Sequence, residues 1–134
     1  MKSEIIAVGS EMLTPFRQDT NSLYLTERLN SIGVTVAFKT IVGDRKRDLV
    51  NSIRTALARV DILVIMGGLG PTEDDLTREA VGEALSIKLR RDANLVVAGP
   101  NMVGVAFSPL GTTVLATTEA VFDVDLGVEG MNFA

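Results

Sequence analysis

The chain has 134 residues and a formal net charge of −4, is 46% hydrophobic and 22% charged, and contains neither cysteine nor histidine. This length and composition fit one globular domain, and an acidic balance without a basic tract argues against binding to nucleic acid or to an anionic membrane surface. Without cysteine or histidine, acid–base and metal chemistry must use carboxylates, lysine, hydroxyl and backbone groups, and magnesium is the kind of hard ion that such groups bind.

Three strand–helix pairs are predicted in chain order within residues 1–88. Strands are predicted at residues 4–8, 34–42 and 61–66, and helices at about residues 21–32, 44–59 and 72–85. Asp19 or Thr20 is expected to cap the first helix and Asp44 the second. In the first helix Leu23, Leu25, Leu29 and Ile32 are expected to form the apolar face.

Strands that alternate with helices imply a parallel sheet with right-handed crossovers. Ligands of such sheets bind outside the carboxyl ends of the strands. The loops at residues 9–20, 42–44 and 67–75 leave those ends, and they are rich in glycine, hydroxyl and acidic residues. The sequence therefore predicts an α/β fold with a ligand site at this edge.

The last third of the chain follows a different pattern. All 13 Lys and Arg residues precede residue 92, and the later charged residues are acidic, at Glu119, Asp123, Asp125 and Glu129. Short hairpin-like strands are predicted at residues 94–98, 103–107, 112–118 and 120–126, followed by a loose tail. We divide the chain into an α/β core, 1–92, and a divergent C-terminal segment of the same domain, 93–134.

The location of the protein is predicted from what the sequence does not contain. The N-terminal residues lack the layout of a signal peptide. The apolar runs are also too short to span a membrane. A cytoplasmic location is therefore expected.

The glycine-rich loop at residues 67–75 is the strongest candidate site. Glycine lets a ligand approach the backbone closely, and the first N–H groups of a following helix suit a phosphate. The string is neither a G-x-G-x-x-G fingerprint nor a Walker A loop, and a tight turn that requires glycine is the structural alternative. The residues expected to bind ligand here are Gly67, Gly68, Leu69, Gly70, Thr72 and Asp74.

Carboxylates in all three loops are candidates for chemistry, and each has a structural alternative. Asp75, next to Glu73 and Asp74, could hold magnesium against a ligand's phosphates, or it could form a capping box with Thr72. Glu11 could be a metal ligand or base, and Ser10 could bind phosphate, or both could lie in a solvated turn. Asp44 could be a ligand or a helix cap. Carboxylates from separate loops would repel one another at one edge, which favours a cation there.

These loops resemble the N-terminal domain of the CinA (competence/damage-inducible) proteins, which belongs to the molybdopterin-binding MogA/MoaB-like family. The resemblance covers residues 3–92 and is strongest in the string from Gly67 to Thr77. The other matching segments are residues 4–13, 19–22 and 42–44. Gly9, Ser10 and Asn21 fall in matching segments and join the expected ligand-binding residues.

The resemblance implies a three-layer αβα sandwich with a mainly parallel sheet. It implies that molybdopterin or its adenylated form is a ligand of the glycine loop and that the family's acidic residues fall on Asp44 and Asp75. CinA-type domains are associated with metal-dependent hydrolysis of ADP-ribose to AMP and ribose 5-phosphate, and related proteins form homo-oligomers. After Asp92 the sequence departs from the family pattern, and the family's basic residues in that half are absent.

Two functions of different class follow. The first is a magnesium-dependent pyrophosphatase acting on a nucleotide diphosphate, with Asp75, Asp44 and Glu11 in catalytic roles. The second is a non-catalytic module that binds a nucleotide or pterin diphosphate. A third, molybdenum-cofactor biosynthesis, is disfavoured by the Gly-Leu-Gly-Pro-Thr form of the loop.

Overall fold

The computed structural model describes residues 1–69 and 72–86 and the backbone of residues 104–107 and 113–117. The strands are β1 (Lys2–Val8), β2 (Thr35–Val42), β3 (Ile62–Met66), β4 (Gly104–Phe107) and β5 (Thr113–Thr117). The helices are α1 (Thr20–Ser31), α2 (Lys46–Leu57) and α3 (Thr77–Leu85), and a 3-10 turn spans Ser10–Leu13. The predicted alternation of three strands and three helices is therefore confirmed.

The strands form one sheet in the order β2-β1-β3-β5-β4. β1 pairs in parallel with β2 and β3, and β3 pairs in parallel with β5, whereas β4 is antiparallel to β5. Four parallel strands thus end at one edge of the sheet, where open α/β sheets bind their ligands. The strands predicted at residues 103–107 and 112–118 match β4 and β5, while those predicted at 94–98 and 120–126 lie outside the described residues.

Helices cover both faces of the sheet. Successive side chains of β1 and β3 point to opposite faces, so each face has an apolar core against which helices pack. On one face α2 and α3 pack against a core that includes Ile6, Leu63 and Ile65. On the other face α1 contributes Leu25 and Leu29 to a smaller core. The expected three-layer αβα sandwich is the observed fold.

Two predicted details of the helices are wrong. Leu23 is 64% and Ile32 74% exposed, because Leu23 lies on the side of α1 opposite Leu25 and Ile32 follows the last helical residue. α3 begins at Thr77 rather than at about residue 72, because the backbone and hydroxyl of Thr77 bind the preceding glycine loop.

An ion pair between a buried carboxylate, Glu4, and the partly exposed Arg59 ties β1 to the end of α2. The Glu4 side chain is 1% exposed and accepts two hydrogen bonds from Arg59, to Oε2 from Nε at 2.9 Å and to Oε1 from Nη2 at 2.7 Å. The Thr40 hydroxyl donates to Glu4 Oε1 at 2.7 Å, and the Arg59 guanidinium lies 3.7 Å from the centre of the Phe38 ring. Both oxygens of the buried carboxylate therefore accept hydrogen bonds, from β2 and from Arg59, two residues after α2.

We expect Glu4→Gln to lower the free energy of unfolding by about 2 kcal/mol, because a hydrogen bond to a charged group contributes about 1.5–3 kcal/mol and a buried amide cannot accept both N–H groups of Arg59. Urea denaturation measures the change. Glu83→Gln is the matched control: Glu83 binds Lys46 at 2.9 Å, but the two side chains are 51% and 45% exposed, so no resolvable loss is expected. Equal losses in both variants would contradict this role of Glu4.

No helix in the part of the chain that the structure describes combines the length and the apolar character needed to cross a membrane.

Candidate functional site

The loops that follow β1, β2 and β3 are neighbours, because these three strands are adjacent and parallel. The register pairs Val8 with Val42 and Ala7 with Met66, so the strands end at nearly the same level. The Gly9 N–H donates to the Val42 carbonyl at 2.9 Å, which joins the first two loops directly. The predicted gathering of these loops at one edge is therefore observed.

Ser10 and Asp44 bind each other twice across the first two loops. The Ser10 N–H donates to Asp44 Oδ2 at 2.9 Å, and the Asp44 N–H donates to Ser10 Oγ at 3.0 Å. Asp44 is not the cap of α2: the N-cap is Arg45, which makes no side-chain capping bond. The alternative prediction of a cap is wrong because the carboxylate of Asp44 is held by the neighbouring loop.

The loop after β3 approaches the end of β1 so closely that only glycine fits at position 67. Gly67 has φ 88, and a Cβ at this position would overlap the Val8 carbonyl oxygen. Gly68 has φ 65, and a Cβ there would overlap the hydroxyl oxygen of Thr77. Both positions therefore exclude side chains on steric and on conformational grounds.

Thr77, the first residue of α3, forms hydrogen bonds with both Gly67 and Gly68. Its hydroxyl donates to the Gly67 carbonyl at 2.7 Å, and its N–H donates to the Gly68 carbonyl at 3.1 Å. The residue is 0% exposed. Thr77 ends the string that resembles the family, but no role was predicted for it. A hydroxyl residue at the start of the helix after the glycine pair is the only sequence signal for it.

These contacts fix the direction of two backbone N–H groups. In a trans peptide the N–H points away from the C=O of the same unit, and no cis peptide is present in the described chain. With the carbonyls of Gly67 and Gly68 bound to Thr77, the N–H groups of Gly68 and Leu69 point away from it. Neither N–H has an acceptor among the described residues. Successive N–H groups in such a turn are suited to bind an anionic oxygen.

Thr72 and Asp75 are paired, as the T-x-x-D pattern predicts. The N–H and the hydroxyl of Thr72 donate to Asp75 Oδ2 at 2.9 Å and 2.6 Å, and the Asp75 N–H donates to the Thr72 carbonyl at 3.1 Å. The pair closes a turn ahead of α3 and does not cap it, since the N-cap is Leu76. The half-buried Asp75 is thereby fixed at the end of the glycine-rich loop, ahead of α3.

Glu11 is folded back over Gly9 in the first loop. A Cβ at Gly9 would lie 2.6 Å from Glu11 Oε1 and 2.7 Å from Oε2. Gly9 is buried and has φ 149, whereas Glu11 itself is exposed. The carboxylate therefore lies against the backbone at the carboxyl end of β1.

The remaining predicted residues differ in what they offer a ligand. Asp19 caps α1 by accepting the Ser22 N–H at 2.9 Å, and Asn21 is exposed in the first turn of that helix.

Leu69 is 2% exposed in the core shared with α2 and α3, so its backbone is the part left for a ligand. Glu73 and Asp74 are exposed, and Gly70 lies outside the described residues.

The metal prediction depends on how the carboxylates are arranged. Within residues 1–69 and 72–86, no group of three or more acidic side chains is placed to hold a metal ion. Magnesium does not require such a group, because it usually keeps waters and is bound by one or two carboxylates together with the phosphates of a ligand. Asp44 follows β2 and Asp75 ends the loop after β3, and β1 lies between these two strands.

Comparison with known proteins gives the family. Residues 4–122 match the model of the probable molybdopterin binding domain. Over 96 residues the chain is 75% identical to a CinA-like protein of Acidobacterium capsulatum. That alignment covers 72% of this chain but 23% of the relative, so the chain spans about a quarter of the length of the curated relatives it matches.

Solved structures share the fold. The protein CinA of Thermoplasma acidophilum superposes with a TM-score of 0.73 at 24% identity, over 86% of each chain. The molybdopterin biosynthesis enzyme MoaB of Thermus thermophilus superposes with a TM-score of 0.68 at 23% identity, over 86% of this chain and 79% of that one. At these identities the similarity establishes the αβα architecture alone.

Proposed function

Because the chain belongs to the family of probable molybdopterin binding domains, as a CinA-like member, we propose that it binds the diphosphate of a nucleotide or pterin at the glycine loop. The observation that carries this proposal is the contact of Thr77 with the Gly67 and Gly68 carbonyls. It directs the N–H groups of Gly68 and Leu69 away from α3, in an arrangement suited to a phosphate oxygen. Ser10, which is exposed in the neighbouring loop, would complete the binding edge.

The proposed activity is hydrolysis of ADP-ribose to AMP and ribose 5-phosphate. Asp75 and Asp44 would hold a magnesium ion, which neutralises phosphate charge when bound. The backbone N–H groups would orient the diphosphate, and the exposed carboxylate of Glu11 would accept a proton from the water that attacks phosphorus. Water adds across the P–O–P bond, so each product leaves with one phosphate.

Release of AMP from ADP-ribose by the full chain tests this activity. We expect AMP to accumulate with magnesium and to fall to the level of a protein-free sample when the metal is chelated. Chromatography of the products measures both rates. If the protein with magnesium releases no more AMP than the protein-free sample contains, the proposed hydrolase activity is rejected.

A non-catalytic binding module is the second candidate, and a specific observation favours it. The carboxylates of Asp44 and Asp75 already accept hydrogen bonds from Ser10 and Thr72, which is what structural roles in the loops require. Calorimetry would then show binding of ADP-ribose or a pterin without turnover.

A cytoplasmic location and homo-oligomeric assembly stay predictions, and sedimentation of the purified chain would test the assembly.

A further inference from the structure

Thr77 lies outside the predicted ligand set but is hydrogen-bonded to the glycine loop. Thr77 is 0% exposed, and its two hydrogen bonds go to consecutive carbonyls, those of Gly67 and Gly68. The hydroxyl bond spans ten positions of sequence, so it joins the loop to α3 and does not close a turn within the helix. A Cβ at Gly68 would also overlap the Thr77 hydroxyl oxygen.

The hydroxyl matters more than the bulk of the side chain. Gly67 and Gly68 both have positive φ, and glycine loses the most conformational freedom on folding, so this pair depends on its tertiary bonds to keep one conformation. Without the hydroxyl bond the peptide between Gly67 and Gly68 could rotate. Its N–H would then no longer point away from α3.

We propose that Thr77 is a positioning residue that pre-orients the Gly68 and Leu69 N–H groups for the phosphate of the ligand. The role rests on the proposed binding function and deepens it: Thr77 touches no ligand and acts through the glycine backbone. Pre-orientation raises affinity because the loop does not have to be ordered when the ligand binds.

Three variants of the full chain separate this role from simple stability. Thr77→Val removes the hydroxyl and keeps the shape, whereas Thr77→Ser keeps the hydroxyl. Thr26→Val is the matched control, since the Thr26 hydroxyl donates to the Ser22 carbonyl at 2.6 Å in α1, away from the site. The dissociation constant for ADP-ribose is measured by calorimetry for each.

We expect Thr77→Val to raise the dissociation constant about tenfold, the effect of losing one well-placed hydrogen bond, while Thr77→Ser and Thr26→Val stay close to the original chain. An unchanged constant in Thr77→Val would overturn the inference. An equal increase in Thr26→Val would overturn it as well, because the loss would then follow from stability.

A second measurement needs no ligand. We expect the nitrogen relaxation order parameter of the Gly68 amide to fall in Thr77→Val from the range of a rigid backbone, about 0.85, and to recover in Thr77→Ser. The order parameter of the Leu69 amide should stay high in both variants, because the Thr77 N–H still binds the Gly68 carbonyl. An unchanged order parameter of the Gly68 amide would overturn the role of Thr77. Failure of the original chain to bind ADP-ribose or a pterin would instead reject the proposed function, which keeps the two failures apart.

Discussion

Replacing Gly67 by alanine is expected to lower the free energy of unfolding by about 3 kcal/mol and to abolish ligand binding. A non-glycine residue held at positive φ costs about 1–3 kcal/mol, and here the new Cβ would also overlap the backbone oxygen of Val8. A backbone oxygen cannot move aside as a flexible side chain can, so the loop would be pushed away from β1. Urea denaturation and calorimetry with ADP-ribose measure the two effects.

Gly33→Ala is the matched control for the backbone effect alone. Gly33 has φ 82, close to the φ of 88 at Gly67, but a Cβ there would meet nothing within 4 Å. We expect a loss of about 1 kcal/mol and unchanged ligand binding. Equal destabilisation by the two variants would show that the close approach of the glycine loop to β1 has no energetic consequence.

Asp75→Asn is expected to reduce the rate of AMP release about 100-fold. The substitution removes the negative charge of Asp75. An asparagine can still accept hydrogen bonds from Thr72, but its neutral amide does not offset the charge of a magnesium ion. Electrostatic groups that act on a transition state contribute about 100- to 1,000-fold each. Initial rates at saturating ADP-ribose measure the effect.

Thr72→Val separates the ligand role of Asp75 from its structural role. Thr72 supplies the hydroxyl that binds Asp75 Oδ2 at 2.6 Å, and its removal leaves the carboxylate charge in place. If Asp75 acts on the ligand or its metal, Thr72→Val should lower the rate much less than Asp75→Asn. Similar rates in the two variants would assign Asp75 to the turn alone.

The core of the fold was predictable because its signal is local. Apolar runs mark β1 and β3, and helical spacing marks α2, where Leu49 and Ile53 are buried as their four-residue separation predicts. The start of α3 was not predictable in the same way. The T-x-x-D pattern forms, yet it closes a separate turn, because the tertiary bonds of Thr77 decide where the helix begins.

The location of the site was more predictable than the role of each residue in it. Parallel strands bring the loops at Gly9, Asp44 and Gly67 together, as the alternation of strands and helices implies. The partner of Asp44 was not predictable, because the Ser10–Asp44 bonds span 34 positions of sequence and leave no local pattern. The division of the chain at residue 92 stays a prediction, although the family match continues to residue 122.

The position of the ligand is the most direct test of a phosphate site at the carboxyl edge of the sheet. It can be measured by following backbone amide resonances of the full chain as ADP-ribose is added. We predict that the amides of Gly68, Leu69 and Ser10 shift, while the amide of Gly33, which donates to the Asn30 carbonyl, does not. No shift at the glycine loop, or shifts confined to residues 57–61 at the opposite edge, would contradict the site.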